Sequence, residues 1–574
     1  MQKQNYIIIA LLLANLLVFG PVAGYEFLSY DDGLHVYENE HVVNFSTDNL
    51  IYFWKNAHKG LYIPISYNLW ALQAKFSQYF PAKQINSVSG EDILNPAIFH
   101  TTNLLLHALS TIIVFLIIRK LIQHDLPAGV GALFFAIHPV QVEAVAWISE
   151  LKGCLSSLFS LLAIWQYICL SKIFSAGNQK KQIHYILATV FFLFALFSKP
   201  AAVVVPFICG AIGVYLLQRP INQTIWELVP WGAIIIPFVV VAKLSQGDSE
   251  LSFIPEFWQR FLIAGDSVSF YAAKLFYPVN LGFDYSRTPQ FVLDNWWIYL
   301  TGVLPYFFVA MFFWKFRHPW VLSSLAVFIA GLFPVLGFLP FVHQEISTVA
   351  DRYLYLPMLG PALLVSYIFL KQGKKIQKIV YLMIIILFGI LSTFQVKTWK
   401  NPFTIYFQGL VINPTSWKSH VGLVKLYLHL DQPNEAEIHV REAIKTATQI
   451  APHDGRAAES YTKLGIIYSK AKKDYNEAIH FLTKAIKIKP ENPEAHYNLG
   501  FAYAEAEDFP KAIEHYEKAL KLKPDYAFCY NDCSTLYWQL GKKEKSNQYR
   551  KKAAELGNFY AIEWLKKNND VMQE

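Results

Sequence analysis

Two adjacent carboxylates, Asp31 and Asp32 in the run Tyr30-Asp31-Asp32, follow the first apolar stretch of the chain by only a few residues. At a membrane surface such a pair supplies a general base, or a metal- or substrate-orienting group, when a neighbour raises one pKa while the other stays ionised. The same pair is also what an ordinary solvated loop carries. Other polar groups gather at the same level. His100, Asn103 and His107 fall at i, i+3 and i+7, one stripe of a helix. Inside a bilayer such groups are costly and face a cavity or the bundle interior, although the two histidines could equally bond across helices. The run His138-Pro139-Val140-Gln141-Val142-Glu143 adds an imidazole, His138, and a carboxylate, Glu143. Two cations complete the set, Lys199 in Ser198-Lys199-Pro200 and Arg352 in Asp351-Arg352-Tyr353. A guanidinium at the lipid–water boundary clamps a phosphate bidentately, or else anchors the chain by snorkelling while paired to Asp351. Carboxylates for an acceptor hydroxyl, cations for a lipid phosphate and a membrane groove between them point to transfer from a lipid-phosphate donor.

The elements that must position these groups follow from composition. Of 574 residues, 54% are hydrophobic and 16% charged, against roughly 25% charged in a soluble domain, which rules out one soluble domain. Residues 1–400 hold 26 Lys and Arg and 20 Asp and Glu, whereas the last 174 hold 24 and 22, so the front is membrane and the back is soluble. The net charge of +8 is spread along the chain and is no footprint for nucleic acid. Five cysteines without CxxC spacing suggest neither zinc nor disulfides, and Cys529 and Cys533 read as small buried side chains.

Apolar runs at about 6–23, 98–118, 127–147, 154–171, 184–198, 200–218, 226–243, 296–314, 320–341, 353–370 and 376–394 predict eleven spans. The first could also be a signal peptide ending at Val22-Ala23-Gly24; an uncleaved span fits better because more membrane follows. With the N-terminus inside, every cytoplasmic connection carries Lys or Arg, provided residues 256–278 form an amphipathic helix on the outer surface. Residues 25–97 are then the first external loop. The odd count delivers the C-terminal domain to the same side.

That domain repeats every 34–35 residues: Leu464-Gly465-x-x-Tyr468 against Leu499-Gly500-x-x-Tyr503, with Ala478 and Ala512, Ala485 and Ala519, and Pro490 and Pro524 in register. This is the tetratricopeptide pattern. About four repeats and a capping helix at 559–567 predict a short α-solenoid with a concave face for an extended peptide. Asn498 and Asn531 are its candidate acceptor-binding residues, against the plainer reading of a solvated helix face.

Taken in order, these segments resemble the transmembrane-and-TPR protein O-mannosyltransferases, the TMTC family within the GT-C glycosyltransferases. The matching signatures are Tyr30-Asp31-Asp32 followed by Asn39, Phe99-His100-x-x-Asn103-x-x-x-His107, His138-Pro139-x-x-x-Glu143 through Trp147-Ile148, Ser198-Lys199-Pro200-Ala201, Asp284-Tyr285-Ser286, Arg352-Tyr353-Leu354-Tyr355-Leu356-Pro357, and Trp399-Lys400-Asn401-Pro402. The resemblance covers nearly the whole chain. It implies an all-α, polytopic GT-C-type bundle over 1–400 and a TPR domain over 401–574. It implies transfer of mannose or a similar sugar from a polyprenyl-phosphate carrier to Ser or Thr of an exported protein. Asp31 and Asp32 would then be catalytic, Arg352 and Lys199 would bind the donor phosphate, and His100, Asn103, His107, His138 and Glu143 would line the site. Two features depart from the family: Glu150-Leu151-Lys152-Gly153 stands where Gly-Arg and an acidic residue are common, and the TPR array is short, as in a bacterial relative. The expected location is a bacterial inner membrane with the TPR domain in the periplasm or exterior, or the ER membrane with a lumenal TPR domain in a eukaryote.

The competing class is a non-enzymatic membrane scaffold carrying a TPR docking module; buried His100, Asn103 and His107 speak against it. A lipid flippase or carrier would show repeated halves with broken helices, and residues 1–400 show no such symmetry. No P-loop, Rossmann fingerprint or HExxH motif occurs. The pattern calls for no cofactor, and it neither requires nor identifies a metal.

Overall fold

The computed structural model describes residues 2–81, 94–171, 178–245, 253–315, 317–339, 341–450 and 455–569. The chain divides into two compact units, Met1–Asn413 and Pro414–Glu574. Among the described residues both are helical, and the only extended pairing is an isolated bridge between His58 and Leu61.

Among the described residues of the first unit six helices are long and apolar enough to cross a membrane: Gln2–Gly24, Pro96–Ile122, Ile148–Ser171, Lys180–Ser198, Ile221–Ser245 and Lys375–Trp399. A seventh span arises if Asp125–Ile137 and Pro139–Ala146, bent by 51°, are counted as one. The stretches expected at 200–218, 296–314, 320–341 and 353–370 form only shorter apolar helices, Pro200–Leu216, Ile298–Phe312, Pro319–Val335 and Leu359–Lys371, so six or seven helices rather than eleven meet the length of a span among the described residues. Two of the breaks have local causes. Pro139 lacks an N–H and cannot continue the helix ending at Ile137, and the stretch around Gly302 breaks between Ile298–Thr301 and Leu304–Lys315. The segment expected to be amphipathic forms Phe257–Phe276 and is not among the spanning helices. Part of the loop expected over 25–97, residues 82–93, lies outside the described residues.

Small and hydroxylated residues bring the helices together, as helix packing in lipid requires. Ser366 Oγ donates to the Pro127 carbonyl at 2.6 Å and Ser156 Oγ to the Ala195 carbonyl at 2.9 Å. Gly360 lies against the Ser324 carbonyl, where a Cβ would collide.

The second unit contains four helix pairs, Trp417–His429 with Pro433–Ile450, Gly455–Ile466 with Tyr475–Ile488, Pro493–Glu505 with Phe509–Leu522, and Ala527–Gln539 with Lys543–Glu555, followed by Phe559–Asn569. Side chains of Ser416, Asp474, Asn492 and Asp508 cap four of these helices, accepting from the amides three residues on at 3.2–3.3 Å. Cys529 and Cys533 are fully buried and all five cysteines are free.

Candidate active site

Asp31 and Asp32 lie in the short segment between the 3₁₀ turn Gly20–Gly24 and the helical turn Gly33–Tyr37. Chain neighbours of identical type, they have opposite environments. Asp32 is fully buried. Its Oδ2 accepts from Leu28 N–H at 2.9 Å, and its Oδ1 accepts from Ser149 N–H at 3.0 Å and Ser149 Oγ at 2.6 Å. Burial pushes its pKa up to about 6, and the Ser149 hydroxyl, the strongest opposing influence, pulls it down. Asp31 is partly exposed, and its carboxylate accepts no hydrogen bond among the described residues. It lies within electrostatic reach of Asp32, Tyr30, Tyr406 and Lys152. Asp32 therefore holds the loop to the start of the helix carrying Ser149, and Asp31 presents a free carboxylate.

Trp147 is the centre around which the rest assembles. Asn103 Nδ2 donates to its carbonyl at 2.8 Å, Tyr30 packs on its ring at 5.5 Å, and Arg352 and Lys152 lie 5.4 and 5.9 Å from its ring centroid. Arg352 is not paired to Asp351. Its Nη1 donates to Glu143 Oε1 at 2.5 Å, its backbone N–H donates to Glu143 Oε2 at 2.9 Å, and its Nε stands 3.6 Å from Glu150 Oε1. Glu150 Oε2 accepts from Lys199 Nζ at 2.9 Å. Asp351 instead accepts from the Tyr285 hydroxyl at 2.8–2.9 Å, which joins the Asp284-Tyr285-Ser286 segment to the Arg352 segment. Lys152 makes no ion pair among the described residues.

Lys199 and Arg352 also share a cleft, whose further lining includes Ala202, Val204, Val335 and Leu356. Its wall carries these two cations, the hydroxyl-bearing Ser156, Ser157, Tyr353 and Tyr355, and a set of aliphatic side chains. Of the other expected site residues, His100 is buried with Nε2 on the Glu26 carbonyl at 3.3 Å. His107 spans from the Tyr355 hydroxyl, 2.7 Å, to the Ala136 carbonyl, 2.9 Å. His138 lies 3.2 Å from the Leu275 carbonyl. These histidines knit helices together around the site. In the TPR unit, Asn498 is buried and donates back to the Glu494 carbonyl at 2.7 Å, and Asn531 donates to Asp532 at 3.4 Å. The residues that sequence reasoning did not single out as site residues are Trp147, Ser149, Glu150 and Lys152; the last two stand in the stretch that departs from the family.

A polytopic helical bundle with two adjacent acids and two cations on one cleft, followed by a TPR array, is the class of protein these features define. The tetratricopeptide repeat family model matches residues 493–526, and a second TPR repeat model matches 470–507. Over 359 residues the chain is 26% identical to protein O-mannosyl-transferase F38B6.6 of Caenorhabditis elegans, covering 60% of this chain and 50% of that protein. It is 25% identical over 415 residues to human protein O-mannosyl-transferase TMTC3, covering 63% of this chain and 43% of that protein. Among solved structures, a crystal structure of MamA is matched at 27% identity over 28% of this chain and 90% of that one, with a TM-score of 0.24. The chain is similar to these protein O-mannosyl-transferases, and it spans about half the length of the curated relatives it matches.

Proposed function

We propose that this chain is an integral-membrane GT-C glycosyltransferase, residues 1–400, which moves a mannose-like sugar from a polyprenyl-phosphate carrier to Ser or Thr hydroxyls of an exported protein. Its TPR domain, 401–574, engages the acceptor, with Asn498 and Asn531 as candidate contacts, on the side of the membrane away from the cytoplasm. The observation that carries the reading is the free carboxylate of Asp31 within electrostatic reach of Lys152, in a site that also sets Arg352 and Lys199 on one shared cleft. In the transfer, the acceptor oxygen bonds to the sugar C1 as the C1–O bond to phosphate breaks. Asp31 takes the hydroxyl proton, and the lipid phosphate leaves with the bonding electron pair. Arg352 and Lys199 face the charge that grows on that phosphate, where a fixed cation contributes most. Glu143 keeps Arg352 in place, and the isoprenoid tail fills the aliphatic part of the cleft.

The scaffold reading is weaker. An anchor gains nothing from buried carboxylates, guanidinium and ammonium groups whose desolvation costs several kcal/mol each. Purified protein in lipid vesicles, given polyprenyl-phosphate mannose and a Ser/Thr-rich peptide, should yield a peptide heavier by one hexose. A donor-independent result, or none with any polyprenyl-phosphate sugar, overturns the proposal.

A further inference from the structure

Glu150 does not line the cleft, yet its carboxylate lies between the two cations that do. Oε2 takes Lys199 Nζ at 2.9 Å and Oε1 stands 3.6 Å from Arg352 Nε, with the glutamate side chain 2% exposed. Room for this arrangement comes from Gly153, one turn on in the same helix, where a Cβ would run into Glu150 Oε2 and approach Lys199 Nζ to 3.3 Å. Arg352 is already held by Glu143 through two bonds, so Glu143 is a fixed partner. Glu150 has a single close bond, to a lysine whose side chain is 22% exposed, and is the partner that can be exchanged. A carboxylate bridging two cations has the charge and much of the geometry of a phosphate bound there.

We propose that Glu150 is a positioning residue that fills the phosphate seat between Lys199 and Arg352 as an internal anion, is displaced by the donor, and returns to expel the product phosphate. This rests on the glycosyl-transfer reading above. The chemistry supplies the need for it. A polyprenyl-phosphate sugar is a phosphodiester with one negative charge, whereas the product is a phosphate monoester carrying about −1.5 to −2 at neutral pH. Two bare cations would hold the product more tightly than the donor and stall turnover. An internal carboxylate that either ligand must displace weakens both in the same proportion, and so brings the tighter-held product down to an affinity from which it can leave.

The test uses the full chain in vesicles and measures binding of polyprenyl phosphate, the product, without acceptor. Glu150→Gln should bind it at least tenfold more tightly than the wild type. It should retain a single round of transfer and slow in later rounds, with product inhibition at correspondingly lower concentration. Glu150→Asp, which keeps the charge but withdraws it by one methylene, should fold like the wild type and tighten binding partway. Unchanged product affinity in Glu150→Asp and Glu150→Gln overturns the proposal, and Glu150→Asp decides alone if the glutamine variant does not fold. Inorganic phosphate should compete weakly in all forms, because it leaves the aliphatic cleft empty; equal competition would mean a free-anion site and would overturn the proposal. Should the wild type bind no polyprenyl phosphate, or bind it unaffected by Arg352→Lys, the glycosyl-transfer reading itself fails, which is a different result.

Discussion

Arg352 grips Glu143 twice, once with its guanidinium at 2.5 Å and once with its own backbone N–H at 2.9 Å, although 209 residues separate the two in sequence. The side chains are 9% and 2% exposed, so water cannot replace either partner. Glu143→Ala would leave a buried guanidinium without its main counter-charge, and the expected loss is about 3–5 kcal/mol in stability. Thermal unfolding in detergent would show it. Arg352→Lys should fold but lose the planar fork. We expect its KM for the lipid donor to rise about tenfold or more while the KM for acceptor peptide stays within twofold. Equal effects on both substrates would count against a donor-phosphate role.

The two aspartates separate by the same logic. The Asp31 carboxylate has no hydrogen-bond partner among the described residues, so Asp31→Asn removes basicity and little else; transfer should slow by about 10²–10⁴ with unfolding unchanged. Asp32→Asn puts an amide N–H₂ against N–H donors from Leu28 or Ser149 and should cost about 1–3 kcal/mol of stability as well as activity. Reversal of this pattern, with stability lost at Asp31 and not at Asp32, would exchange their roles.

Asp32 also sets a pH dependence. Its pKa of about 6 lies above the ordinary 3.8, so the fold favours the protonated form, and Asp32 costs stability as pH rises from about 4 to 6 rather than adding to it. Activity should run the other way. The backbone amides of Leu28 and Ser149 need a carboxylate, so transfer should fall as pH drops through about 6, when the anchor of the Asp31 loop is protonated. Ser149→Ala deletes the hydroxyl that holds this pKa down, and the acid limb of the rate profile should move to higher pH. A limb that stays in place assigns it to another group.

Why Asp31 and Asp32 differ could not be read from the sequence. Both are Asp, both follow the same span, and the distinction is made by Ser149, 117 residues away, whose side chain and backbone close on only one of them. The same is true of Glu150 and Lys152. Their stretch looked like a departure from the family, and only the approach of Lys199 and Arg352 from two other segments shows what surrounds them. The apolar helices, by contrast, were legible because length and hydropathy are local properties. Pro139 and the glycine at 302 then break two of them, through backbone groups that a hydropathy window averages away. The TPR pairs were the plainest, since Gly465, Gly500 and the alanines recur at a fixed spacing with a direct packing reason.

That packing reason is itself testable at Gly500. A Cβ there would stand 2.7 Å from Tyr516 Cδ1, 2.9 Å from its Cε1 and 3.0 Å from the Ala512 carbonyl oxygen. Tyr516 is 1% exposed and cannot swing out, and the Ala512 contact is backbone, so the helices Pro493–Glu505 and Phe509–Leu522 must separate. Gly500→Ala should destabilise this pair by about 1–3 kcal/mol, the range for overpacked cores. Gly455, at the start of its own helix, has nothing within 4 Å of a Cβ. Gly455→Ala should therefore be neutral or stabilise by about 0.4–1 kcal/mol through the unfolded chain. Hydrogen exchange on the intact protein separates the two: amides across 493–522 should exchange faster in Gly500→Ala, those in Pro96–Ile122 should not change, and Gly455→Ala should leave both as in the wild type. Equal protection in all three proteins would mean that the repeat spacing does not report close packing here.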